Sequence, residues 1–214
     1  MAKKDRTGKR KRRSHRSPEM GYYLVVTDTK ATEENYFRGL RNSLPNDLKD
    51  QLVIKVVKTE TKSLLDKCLE QWQLTPQYCN PWIIFDRDLV PNFDQIIYKA
   101  QRMGIHVGWS NPCFEIWMFG YFGNIPNIMR SKECCTKFSE LYKKKTGQEY
   151  KKSDETIYHK LIQFGDEELA LEQAKIKYHQ CDKSGKKVPS EMWPCTTVNE
   201  LVYEIVEKRD KKRI

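Results

Sequence analysis

The chain has no apolar run near the ~18 residues that a membrane-spanning helix requires. Its N-terminus also lacks the apolar core of a secretory signal. A soluble, cytoplasmic protein without a membrane partner is therefore expected. Histidine is scarce, with four scattered residues, and none of the seven cysteines falls in C-x-x-C spacing. Cys134 and Cys135 are adjacent, an arrangement unsuited to tetrahedral zinc, so ordinary reduced thiols are expected instead of a structural zinc site. There is no glycine-rich phosphate cradle, neither a P-loop nor a G-x-G-x-x-G turn, and no Ser/His/Asp arrangement. ATP hydrolysis, dinucleotide binding and serine-type acyl transfer thus lack support.

Positive charge is abundant but unevenly placed. Residues 1–16 hold nine Lys/Arg, among them Lys9, Arg10, Lys11, Arg12 and Arg13, against the single acid Asp5. Of the net +10, only +2 remains for the other 198 residues. Such a segment cannot bury apolar surface and is expected to be disordered when free. It is either a solvated arm or a set of cations that neutralises nucleic-acid phosphates. The 38% hydrophobic content of the whole chain excludes a wholly disordered protein.

Beyond the tail (1–20), short β-branched or apolar runs alternate with helical spacing. Residues 22–27, 52–58, 81–85 and 105–108 read as strands, and 32–43, 63–72 and 92–103 as helices. That alternation predicts an α/β core over 21–123, a parallel sheet with helices on both faces. Residues 124–214 read as a helical addition packed on this core, with helices at 131–145, 157–164, 167–179 and 198–207.

Ligands of open parallel sheets bind beyond the carboxyl ends of the strands. Asp28 ends the first strand, Asp86 and Asp88 end the third, and Glu115 follows the fourth. Asp86 and Asp88, two apart, project to one side if the chain stays extended. Their repulsion is relieved by a cation such as Mg²⁺, or the pair forms a polar turn with its own salt bridges. Ser110-Asn111-Pro112 reads as a helix start with Asn111 as N-cap and Pro112 in the first turn. The run that follows is apolar on all sides except Glu115, so the helix is expected to be buried. A carboxylate there needs a metal, a base or backbone N–H partners, unless it only complements the helix dipole. Glu33 and Glu34, in the first turn of the helix after Asp28, are explained by the dipole without any chemistry. Lys143–Lys145, Lys151 and Lys152 are solvated lysines or nucleic-acid contacts.

Several segments, in order, resemble the RloB family. They are Asp28 with Thr32-Glu33-Glu34-Asn35-Tyr36-Phe37, then Ile-Ile-Phe-Asp86-Arg87-Asp88, then Ser110-Asn111-Pro112-Cys113-Phe114-Glu115-Ile116-Trp117, and finally Pro194 to Val202. The resemblance implies a TOPRIM-like fold related to the nuclease halves of OLD-type proteins. It implies a role in bacterial anti-phage defence by abortive infection, beside an AAA or ABC-type ATPase. Related effectors cut tRNA, and others cut DNA. By this resemblance Asp86 and Asp88 hold Mg²⁺ or Mn²⁺, and Asp28 is a general base or further ligand. Glu33 and Glu115 match recurring acids and would be catalytic-site groups, as ligands or next to them, and Lys152 is a candidate phosphate contact there. Lys151, like the tail cations, is a nucleic-acid contact expected from its charge alone. The expected function is a metal-dependent endonuclease favouring RNA, with a catalytically degenerate nucleic-acid-binding or adaptor subunit as the alternative. Two departures stand out. The family usually has Cys-Glu-Gly where this chain has Thr27-Asp28-Thr29, and position 121 is Tyr where histidine is common.

Deleting residues 1–16 is expected to leave the melting temperature unchanged within about 1 °C, because the segment has too few apolar residues to join a core. It should also flatten the salt dependence of nucleic-acid affinity, read from binding titrations at several salt concentrations. An unchanged salt slope would show that the tail does not touch phosphate.

Overall fold

The structure is a computed structural model that describes residues 19–28, 31–75, 78–88 and 90–211. The tail cations Lys9, Arg10, Lys11, Arg12 and Arg13, and Thr29, lie outside the described residues. The chain runs β1 (Gly21–Thr27), α1 (Ala31–Ser43), β2 (Leu52–Lys58), α2 (Leu64–Gln73), β3 (Cys79–Asp86), α3 (Phe93–Arg102) and β4 (His106–Asn111). Then follow α4 (Glu115–Phe119), α5 (Ser131–Thr146), α6 (Ile157–Phe164), α7 (Glu167–Lys183), β5 (Cys195–Thr196) and α8 (Val198–Lys211).

The sheet order is β2-β1-β3-β4-β5. The first four strands are parallel, with Val25 opposite both Val56 and Trp82, and Ile84 opposite Gly108. Strand β5 is antiparallel to β4. From β1 the chain steps outward to β2, then crosses back to β3 on the other side of β1. Because crossovers keep one hand, this reversal places α1 on the opposite face from α2 and α3.

The side chains record that division. Tyr23, Val25, Trp82 and Ile84 pack with Tyr36 and Phe37 of α1 and with residues of α4 to α8. Leu24, Val26, Ile83 and Phe85 pack with Leu64 and Cys68 of α2 and Phe93 and Ile97 of α3. The period-two alternation of a strand buried on both faces thus splits the interior into two layers. Phe138 of α5, Tyr158 of α6 and Leu201 of α8 share the first layer with β1 and β3.

Two local expectations are corrected. The fourth strand continues through Asn111, because Ser110 and Asn111 pair with Thr196 and Cys195. The Trp109 amide donates to Thr197 Oγ1 at 3.0 Å, which extends the same junction. Asn111 is therefore no N-cap: its side-chain amide donates to the carbonyls of Pro189 and Ser190, both at 3.1 Å. Helix α4 starts only at Glu115 and passes into a 3-10 turn at Gly120–Phe122. This segment is buried from Glu115 through Tyr121, with Phe122 half-buried, as its apolar sequence requires.

Gly39 on α1 lets α6 approach closely: a Cβ there would lie 2.6 Å from Tyr158 Cβ. Gly39→Ala should cost about 1–3 kcal/mol through overpacking. Urea denaturation would show this as a lowered midpoint at unchanged slope.

Candidate functional site

The reversal of strand order between β1 and β3 creates a crevice at their carboxyl ends, where ligands of doubly wound sheets bind. The sequence delivers its acids to this edge, on two sides of the sheet. Asp28 continues β1 in register, its amide donating to the Ile84 carbonyl at 3.2 Å. By alternation its side chain follows Leu24 and Val26 onto the α2–α3 face. There it is 4% exposed and accepts a 2.5 Å hydrogen bond from the Thr61 hydroxyl.

Asp86 follows Trp82 and Ile84, so alternation points it to the opposite face, that of α1 and α4. It is 2% exposed. The expectation that Asp86 and Asp88 project together requires an extended chain, and the strand ends at Asp86. Arg87 and Asp88 form a turn instead, with Val90 N donating to Arg87 O and Asp88 N to Pro112 O. Asp88 consequently joins Asp28 in lining a cavity of about 370 Å³, with Thr61, Lys62 and Asn92 around it. Asp88 also borders a second cavity of about 410 Å³ that presents Arg87, Arg130, Lys132 and Trp193.

On the α1–α4 face, Glu33 is fully buried in the first turn of α1. Its neighbour Glu34 is an ion-pair residue, 2.6 Å from Arg38 and 3.0 Å from Lys58. Glu115, 1% exposed, has the cationic partner its burial demands. Lys152 Nζ lies 3.2 Å from Glu115 Oε1, and the Tyr150 hydroxyl donates to the same oxygen at 3.0 Å. Burial pushes the Glu115 carboxyl up, but the Lys152 charge, the Cys113 thiol and the Tyr150 hydroxyl outweigh it. The group is held below its ordinary value. Burial pulls the Lys152 ammonium down, and Glu115 more than restores it. Tyr150 is raised by burial first and by Glu115 second.

The Thr32 hydroxyl on α1 meets the Tyr150 hydroxyl at 3.3 Å and the Lys152 carbonyl at 3.4 Å. The 150–152 loop is therefore stitched to the start of α1, next to Glu33. Lys151 is exposed, and Lys152 is engaged with Glu115.

One constellation has no precedent in the sequence reading. Ligand atoms of Cys113, Glu115 and Cys135 all lie within 4.8 Å of one another, the sole such trio among the described residues. The adjacent Cys134–Cys135 pair drew attention, whereas the spatial partner of Cys135 in this trio is Cys113. No sequence spacing signals this, because α5 must first pack against the β4–α4 segment.

The family model for RloB-like proteins matches residues 23–205. The chain belongs to the RloB-like family. The match begins in β1 and ends in α8, so the RloB-like region includes the crevice, both acidic faces and the loop that supplies Tyr150 and Lys152. No curated protein and no solved structure matches the chain. No helix among the described residues is long and apolar enough to cross a membrane.

Replacing Lys152 by Met strands a buried carboxylate, a loss that reaches about 3–5 kcal/mol for fully buried pairs. Lys152 is 46% exposed on its side chain, so solvent screening reduces the expected cost to about 1–2 kcal/mol. Because the native Glu115 value lies below the ordinary one, the pair stabilises above about pH 4.3. That contribution is lost as pH falls through the native value. Melting of wild type and Lys152→Met in EDTA should therefore differ at pH 7 and converge as pH falls below the native Glu115 value. A constant gap would show that the pair contributes no charge interaction.

Proposed function

We propose that this RloB-like chain is a metal-dependent endonuclease that cuts RNA, tRNA in particular. In this reading it is the effector of a bacterial anti-phage abortive infection system and is restrained by an AAA or ABC-type ATPase. The observation that carries the reading is the acidic edge at the β1/β3 reversal, where Asp28 and Asp88 share one cavity and Asp86 closes the strand between β1 and β4. Family membership supports the reaction class and its setting.

The donor set at the edge is all oxygen, which suits Mg²⁺ or Mn²⁺ and not a soft metal. Asp88, with Asp28 as a further ligand or as the base, would hold the ion in the cavity they share, while Asp86 points to the opposite face and would act from outside that cavity. When bound, the ion neutralises phosphate charge and acidifies water. The chain's own groups do the rest. Asp28, oriented by the Thr61 hydroxyl, would be the base that accepts the proton of an attacking water if it is not itself a ligand. Lys62 at the first cavity and Arg87, Arg130 and Lys132 at the second offer cations for the phosphates on either side of Asp88. Half-buried Trp193, whose ring carries the Lys186 ammonium at 4.0 Å, borders that cavity and offers an aromatic surface for an unpaired base, the mode by which single-stranded RNA is held.

A second reading is favoured by Thr27-Asp28-Thr29 in place of the family's Cys-Glu-Gly. A shorter acid already engaged by Thr61 suits a protein that binds nucleic acid, or docks on the ATPase, without cutting.

Cleavage of tRNA by wild type, Asp86→Asn and Asp88→Asn, each with Mg²⁺ or Mn²⁺, separates the readings. Each variant should lose more than about 100-fold, since even outer partners of metal ligands commonly cost 10–100-fold. RNA-end sequencing after induction, alone and with the ATPase, would locate the cut. Wild type inert under both metals but retaining salt-sensitive RNA affinity would establish the binding-only reading.

A further inference from the structure

Cys113 and Glu115 stand two residues apart on the rigid buried segment between β4 and α4. Cys135 stands on α5, anchored by the fully buried Cys134 before it. The two sulfurs and a carboxylate oxygen lie within 4.8 Å of one another. We propose that Cys113, Cys135 and Glu115 bind a single thiophilic divalent cation of the Zn²⁺ class, at a site distinct from the cavity that Asp28 and Asp88 line.

The geometry is close to what such an ion needs. Zn–S bonds of about 2.3 Å and Zn–O bonds of about 2.0–2.2 Å put tetrahedral ligand atoms about 3.5–3.8 Å apart. The trio closes to that spacing by side-chain adjustments of an ångström or less. Cys135 is half-buried, which gives the ion a route in and leaves the fourth position to water. Tyr150 and Lys152 both contact Oε1 of Glu115, so Oε2 carries neither contact and can turn to the ion. The Tyr150 hydrogen bond then orients the ligating carboxylate from outside, as partners of metal ligands do.

Charge balance argues the same way. Written with both thiols protonated, the metal-free cluster is a carboxylate paired with an ammonium, for a net charge of zero. Binding of a 2+ ion releases the two thiol protons, and two thiolates, one carboxylate and the Lys152 ammonium again sum with the ion to zero. A buried site can therefore exchange two protons for a divalent cation without acquiring net charge. Thiolate donors select Zn²⁺ over Mg²⁺, whereas the all-oxygen edge has the opposite preference. The two sites need not compete for one ion.

The test uses the full chain, reduced and stripped with chelator, and Co²⁺ as the spectroscopic probe. One equivalent should produce intense sulfur-to-cobalt absorption in the near ultraviolet, displaced by Zn²⁺ and not by Mg²⁺. Cys135→Ser, at a half-buried position that tolerates the change, should lose the band, and so should Cys113→Ser if it folds by circular dichroism. Cys134→Ser and Asp86→Asn should keep it. The inference is overturned if wild type shows no such band, or if Cys135→Ser retains it. It is equally overturned if the reduced protein ignores Co²⁺ while oxidation joins Cys113 to Cys135. No cleavage is measured, so failure here and failure of the nuclease reading are distinguishable.

Discussion

The alternation of side chains along β1 and β3 is the constraint on which the rest depends. Both strands are buried on both faces, so every residue is committed to one layer or the other, and a slip of one position would exchange them all. Tyr23, Val25, Trp82 and Ile84 fix one layer; Leu24, Val26, Ile83 and Phe85 fix the other. Continued one step past the apolar run, the same parity sends Asp28 towards α2 and α3 and Asp86 towards α1 and α4. The core that specifies the fold therefore also distributes the acids across the edge.

The later part of the chain completes this edge as well as covering the sheet. Strand β5 extends β4 to Asn111, and Asn111 in turn is tied to the carbonyls of Pro189 and Ser190. Glu115 could not stay ionised in its apolar surroundings without Lys152 and Tyr150, which arrive from the loop after α5. A second buried carboxylate, Glu167, is satisfied by Arg209 at 2.9 Å and by the Tyr158 hydroxyl at 3.0 Å. The Tyr121 hydroxyl, at the position where histidine is common in the family, bonds to Tyr36 at 2.6 Å and joins this network. Tyrosine here is a structural hydroxyl between α1 and α7 and lies apart from Asp28 and Asp88.

Where local chemistry decided the structure, the sequence was readable. Leu52–Lys58 is a strand at the expected bounds because five of its seven residues are Val, Ile or Leu, and Ile157–Phe164 is a helix at the expected bounds. Glu115 was legible as a buried charge because its neighbours are apolar all round. Elements decided by distant partners were not legible. Ser110-Asn111-Pro112 has the composition of a helix start, and only the pairing of Ser110 and Asn111 with Thr196 and Cys195 makes those two residues strand. The side of Asp88 depended on a turn whose carbonyl acceptor, Pro112, comes from the next strand's exit. The Cys113–Glu115–Cys135 trio needed α5 to be docked before it existed at all.

The departure at the first strand end bears on reach. An aspartate is one methylene shorter than the glutamate usual in the family. In this chain the Thr61 hydroxyl meets the Asp28 carboxylate at 2.5 Å, from the turn that precedes α2. A hydrogen bond of that kind orients the shorter acid. The same bond ties the carboxylate to the wall of the cavity it shares with Asp88. A base must come within about 2.6–3.2 Å of the proton it accepts. Under the proposed nuclease reading, a substrate water would therefore have to enter the cavity between Asp28 and Asp88, where the Thr61 bond holds the acid. The shorter acid would then set the site inwards, towards the α2–α3 face, and depth of entry into that cavity would become the condition for reaction.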